Sequence, residues 1–135
     1  MVNMAESLIG VATQRLLRRV CWHCRAPDET SPSDHPVALR QRLAGRPLYR
    51  LVGCAACRGS GYFGRLPADE ILLVDEDVSS WIALGTGRHA LNDQILKPDN
   101  HVSLLHVCAR RLLEGHTTLA EFERVFGVID QRFSV

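Results

Sequence analysis

The sequence predicts an α+β fold, mostly α-helical: a small cysteine-stapled subdomain with a short β element, followed by a bundle of short helices. Three observations predict it. Two C-x-x-C pairs, Cys21/Cys24 and Cys54/Cys57, occupy the first half of the chain. One short apolar run, "ILLV", has strand character. Beyond that run, apolar residues recur at helical spacing in short pieces punctuated by Gly or Pro.

The elements follow in order. Ala5 to Val20 reads as an amphipathic helix with Leu8, Ile9, Ala12, Leu16 and Val20 on one face. Arg15, Arg18 and Arg19 crowd its last turn, where cations suit the helix dipole. "RAPDETSPSDHP", with three prolines, is a loop. Pro36 can start a short helix carrying Val37, Leu39 and Leu43, which Gly45 would close. "PLYRLVGC" looks extended, and "ADEILLV" is a strand whose run from Ile71 to Val74 is expected to be buried. Helices are expected around Val78, Trp81 and Ile82 up to Gly85, and around Leu91 and Ile95 before Pro98. Another carries Val102, Leu105, Cys108, Ala109 and Leu112 and ends at Gly115. Thr118 and Glu121 have capping-box spacing for a last helix that turns Leu119, Phe122 and Phe126 inward.

At 135 residues the chain suits one ordinary domain or two very small ones. Apolar residues at 46% and charged residues at 23% are the composition of a folded soluble protein. A formal net charge of +1 supplies no bulk drive toward nucleic acid or acidic lipid. No stretch approaches the roughly 20 apolar residues of a membrane span. The N-terminal segment carries its positive charge after its apolar part, the reverse of a secretory signal. The expectation is a cytoplasmic chain without direct membrane insertion. There, five cysteines argue for metal or free thiols over disulfides.

Cys21, Cys24, Cys54 and Cys57 are the candidate metal ligands. A two-residue gap lets both sulfurs of a pair reach one ion, and four thiolates make a closed structural zinc site. The 29 residues between the pairs exceed the usual gap of about 15 to 20, but loop closure becomes only slightly costlier with length. Such a site carries a formal charge of about −2. Arg18, Arg19, Arg25 and Arg58 are near enough in sequence to offset it. Gly59 and Gly61 would let backbone N–H groups turn toward the sulfurs. Zn²⁺ is the favoured ion, with iron–sulfur ligation as the alternative. His23 is a ligand only if one cysteine drops out. Cys108 falls on an apolar helix face and reads as a small buried hydrophobe.

Two features imitate catalysis. "ILLVDED" resembles the strand and acid that help hold Mg²⁺ in nucleotide hydrolases, but the chain contains no G-x-x-x-x-G-K-[ST] loop. The six histidines are scattered and propose no catalytic set. No catalytic or nucleotide-binding residue is assigned.

The order of features resembles the C-terminal part of the type II secretion and type IV pilus assembly ATPases. Gln14-Arg15-Leu16 leads into the first pair; the second lies in a context of Gly53, Cys54, Cys57, Ser60, Gly61, Tyr62, Gly64 and Arg65. Ser60 stands where that family usually has Thr. Gly115, Thr117, Thr118 and Glu121 resemble the family's closing helices. The resemblance implies that residues 1–20 are a helix from the end of an ATPase core, 21–65 a tetracysteine zinc-binding subdomain, and 66–135 a C-terminal strand plus helical tail. It implies a non-catalytic module whose full-length relatives use ATP and Mg²⁺. Its expected partners are the other subunits of a hexameric motor and inner-membrane platform proteins, reached from the cytoplasmic side, with no nucleic acid. Two alternatives remain. "CAACRGSG" satisfies one C-x-x-C-x-G-x-G repeat of the J-protein chaperones, which suggests a zinc-dependent chaperone-like module. A zinc-ribbon nucleic-acid binder is the other, opposed by the near-neutral charge.

Overall fold

The computed structural model describes residues 2–30, 37–95 and 101–127. Their elements run α1 (Val2–Ser7), β1 (Gly10–Val20), β2 (Ala26–Pro27), α2 (Val37–Leu43), β3 (Tyr49–Arg50), β4 (Tyr62–Leu73), α3 (Glu76–Ala83), α4 (Arg88–Ile95), β5 (His101–Val102), α5 (Leu104–Leu113) and α6 (Leu119–Phe126). The fold is α+β, and it is less helical than the sequence predicts. β1, β4 and β5 form a three-stranded sheet in the order β1-β4-β5, and β2 and β3 form a two-stranded one.

The helix expected over Ala5 to Val20 is the main correction. It is a six-residue helix ending at Ser7, then an eleven-residue strand from Gly10. Gly10 disfavours a continuous helix. Beyond it, β4 supplies a partner twelve residues long, and pairing along such a length overrides the local helical propensity of this segment. The helical reading put Ile9 and Leu16 inside, yet they are 85% and 44% exposed, whereas Leu17 is fully buried.

The expected strand "ADEILLV" also starts earlier, at Tyr62, and its apolar end is not buried. Ile71 and Leu73 are 51% and 60% exposed. Ile71 pairs with Val102 of the antiparallel neighbour β5, which is also exposed. The helices expected around Val37, Val78, Leu91, Leu105 and Leu119 are present, although Val102 lies in β5 ahead of α5. Pro36 and Pro98, expected to start and stop helices, lie outside the described residues.

The chain divides into two compact units, each assembled from two separate segments. One comprises residues 1–15 and 69–104. In it α1 packs on α3 around Ala5 and Val78, and the Ser79 hydroxyl donates to the Ala5 carbonyl at 2.9 Å. Gln14 on β1 donates to Asp69 on β4 at 2.6 Å. Glu70 accepts from the Leu104 N–H at the start of α5 and pairs with His101 at 2.7 Å. Burial would raise the Glu70 pKa, but His101 and that N–H bring it below the usual carboxylate value.

The second unit comprises residues 16–68 and 105–135 and contains all four paired cysteines. Its core is Leu17, Val20, Leu39, Leu43, Leu48, Ala68, Cys108, Ala109, Leu112 and Phe122, all buried. Among the described residues no helix is long and apolar enough to cross a membrane.

Candidate metal centre

Two backbone knuckles place the four cysteines. In the first, the Arg25 N–H returns to the Cys21 carbonyl at 2.9 Å. In the second, Gly59 N–H donates to the Cys54 carbonyl at 2.9 Å and Ser60 N–H to the Cys57 carbonyl at 3.1 Å. A 2.8 Å hydrogen bond from Cys21 N–H to the Gly61 carbonyl ties the knuckles together. Gly61 has φ +74, and a Cβ there would fall 2.6 Å from the Leu51 Cβ, so only glycine fits the turn.

The long segment between the pairs is gathered by β2 and β3. Ala26 pairs with Arg50 and Pro27 with Tyr49, just outside the two knuckles. Asp28 N–H extends the ladder to the Leu48 carbonyl at 2.8 Å. The 29-residue gap is therefore closed near its ends, and the rest is a side excursion that contributes Leu39, Leu43 and Leu48 to the core.

All four sulfurs lie within 4.8 Å of one another. Cys21 to Cys54 is 3.9 Å, Cys24 to Cys57 3.8 Å and Cys54 to Cys57 3.8 Å. A tetrahedron of zinc–sulfur bonds about 2.3 Å long has edges of about 3.8 Å. All five cysteines are free. The donor set, four soft sulfurs at tetrahedral spacing, could hold a metal ion and is compatible with zinc.

Two N–H groups point at one sulfur: those of Cys54 at 3.1 Å and Gly61 at 3.2 Å reach Cys57 Sγ. Burial would raise the Cys57 pKa, but these donors, with the Cys54 and Cys24 thiols, bring it down to about 6. Cys24 is pushed up to about 12, by burial first and then by its thiol neighbours, against a lowering hydrogen bond from the Gly53 backbone.

Three of the four arginines near the pairs in sequence have partners other than the sulfurs. Arg18 ion-pairs with Glu121, Arg19 donates to the Phe63 carbonyl, and Arg25 donates to the Gly115 carbonyl while lying 4.2 Å over the Tyr49 ring. The hydrogen bonds that reach Cys57 Sγ come from backbone N–H groups. Gly61 supplies one of them as expected, whereas Gly59 bonds a carbonyl. His23 stacks on Trp22 at 3.7 Å and stands outside the sulfur cluster. Cys108 is fully buried in α5, with its thiol pushed up to about 11 by burial.

Sequence reasoning missed how the closing helix ties this unit together. Thr118 caps α6 by accepting from Glu121 N–H, and its hydroxyl meets the Tyr62 hydroxyl at 2.8 Å. Thr117 donates to the Arg18 carbonyl at 2.9 Å. The Glu121 carboxylate, fully buried, takes the Arg18 N–H at 2.9 Å and the guanidinium groups of Arg18 and Arg124. The acid three residues past a cap was the available clue, but a capping box points that side chain back at its own helix, not at a strand.

Sequence comparison relates the chain to known proteins. Residues 1–124 match the family described as "Type II/IV secretion system protein". The type IV pilus assembly ATPase PilB of Thermus thermophilus is 35% identical over 125 residues, 88% of this chain and 14% of that protein. A type II secretion system protein E of Klebsiella pneumoniae is 34% identical over 123 residues, and the type II secretion system ATPase E of Vibrio cholerae 34% over 122. Each of those two covers 90% of this chain and 24% of its own length. The chain thus spans between 14% and 24% of the relatives it resembles.

Proposed function

The chain belongs to the type II/IV secretion system protein family, and from that premise we propose that it is a non-catalytic zinc-binding module of a secretion or pilus assembly ATPase, with a structural and interaction role. The observation that carries the reading is the sulfur quartet at tetrahedral spacing, in a chain similar to secretion and pilus ATPases. Cys21, Cys24, Cys54 and Cys57 would hold one Zn²⁺. Bound there, the ion supplies a cross-link and no reaction centre, because four thiolates leave no open position. In this reading residues 21–65 form the metal subdomain, flanked by 1–20 from the motor core and by the tail 66–135. ATP and Mg²⁺ belong to the full-length relatives, since these 135 residues contain no phosphate-binding loop.

An interaction role is supported by the apolar strip on the first unit. Ile9, Val11, Ile71, Leu73 and Val102 are all about half exposed or more, an arrangement that marks contact surfaces. We place the module at the cytoplasmic face of the inner membrane. It would work there among the other subunits of a hexameric motor and its platform proteins.

Metal analysis of the purified chain should give one zinc per chain. Cys54→Ser or Cys57→Ser should lose the ion together with much of the second unit's protection from amide exchange. Clearly less than one equivalent, with folding indifferent to chelator, would rule the reading out. Visible absorption from bound iron would replace zinc with a cluster.

A further inference from the structure

A second site lies in the same unit. A cleft of about 380 Å³ is lined by Leu16, Arg18, Arg65 and Arg124. Two of its three arginines are held by Glu121. Arg18 gives it Nε at 2.8 Å and Nη2 at 2.6 Å; Arg124 gives it Nε at 2.9 Å and Nη2 at 2.8 Å. Each guanidinium therefore spends its side edge on the buried carboxylate. A guanidinium carries five N–H donors in a rigid fork, and the Nη1 donors of both have no partner among the described residues. Their side chains remain 47% and 55% exposed. Arg65, exposed on β4, makes no hydrogen bond or ion pair with another described residue.

The charge does not balance. Three guanidinium groups face one carboxylate, leaving two positive charges in a concave site. The wider surroundings reinforce the excess: residues 16–68 and 105–135 carry thirteen arginines against seven Asp and Glu. Like charges gathered this way repel unless an anion joins them. Planar forks with free edges suit a tetrahedral oxyanion, which can take two parallel N–H bonds from each.

We propose that the cleft formed by Arg18, Arg65 and Arg124 binds a phosphate-class dianion, with Leu16 as its one apolar wall. Glu121 is a positioning residue here: it holds Arg18 and Arg124 by their side edges so that their Nη1 groups remain available. The site does not depend on the metal reading, because none of its groups is a cysteine.

Titration of the full chain as purified, at low ionic strength, tests this, with inorganic phosphate, glycerol phosphate and malonate as separate probes. Saturable phosphate binding is expected, weakened about tenfold by Arg65→Ala, the loss of one charge-assisted contact. Arg65 is exposed and has no partner to lose among the described residues, so that variant should keep the fold, which circular dichroism will verify. Arg65→Lys should retain part of the affinity as a point charge. Glycerol phosphate binding as well as phosphate identifies an esterified source, and markedly weaker binding identifies the free ion. Absence of saturable phosphate binding, equal affinity in Arg65→Ala, or malonate binding as tightly as phosphate would each overturn the proposal.

Discussion

Glu121 shows what one buried acid can organise. Its carboxylate has no exposure and receives one backbone N–H and two guanidinium groups from two elements. Burial would push its pKa up, but these donors outweigh burial and bring it from 4.5 to about 2. A pKa lower in the folded chain than in the unfolded one stabilises the fold above the unfolded value. That contribution is complete above about pH 4.5 and is lost as the pH falls toward 2, and it amounts to about 3 kcal/mol. Glu121→Gln should therefore cost about 3 kcal/mol at neutral pH, because the buried site loses the charge on which the two half-exposed guanidinium groups converge. Urea unfolding at a series of pH values should show the gap between the two proteins closing between pH 4.5 and 2. Thiol protonation affects both proteins alike. A gap that does not change with pH would show that the charge of Glu121 is not what stabilises the unit.

At the scale of elements, helices with their own punctuation were legible and strands were not. Asp75 and Thr118 cap α3 and α6 at the positions an acid or hydroxyl before an apolar run suggests. β1 was misread because Val11 to Val20 carries no two-residue alternation: of its buried residues, Leu17 and Val20 are three apart. Its partner β4 begins 42 positions after β1 ends, so nothing local announces the pairing. β2, β3 and β5 are two residues each, too short to carry any period. The caps themselves differ. Asp75 accepts the Val78 N–H, and Thr118 accepts from Glu121 and also bonds the Tyr62 hydroxyl on β4. Asp75→Ala should destabilise the first turn of α3 by about 1 kcal/mol, and Thr118→Ala that of α6 by about 2. Amide exchange resolved to those turns measures both. A Thr118→Ala loss no larger than the roughly 1 kcal/mol of a cap alone would mean that the hydroxyl pair adds nothing.

For the molecule as a whole, the convergence of the four cysteines was the most legible feature, because both C-x-x-C pairs are local spacings. How the centre is supported was not legible, since Arg18, Arg25 and Arg58 could be ranked only by their nearness in sequence. Nor does the net charge of +1 reveal its own distribution. Residues 1–15 and 69–104 carry three basic and eight acidic side chains, the reverse of the balance in the other unit. Segregation appears only once the fold decides which segments belong together.

The contact of Arg25, Tyr49 and Gly115 reaches beyond this chain. Arg25 lies over the Tyr49 ring and donates to the Gly115 carbonyl at 3.0 Å, and a Cβ at 115 would strike that ring. Three positions far apart in sequence thus share one small volume, so a change at one alters what the other two can be. Among descendants of a common ancestor they should be inherited as a set: lineages that lose the tyrosine should be the ones free to acquire a side chain at 115 and to give up the arginine. An alignment deep enough to count joint substitutions at 25, 49 and 115 would test this, and independent variation at the three would show that the contact does not constrain descent.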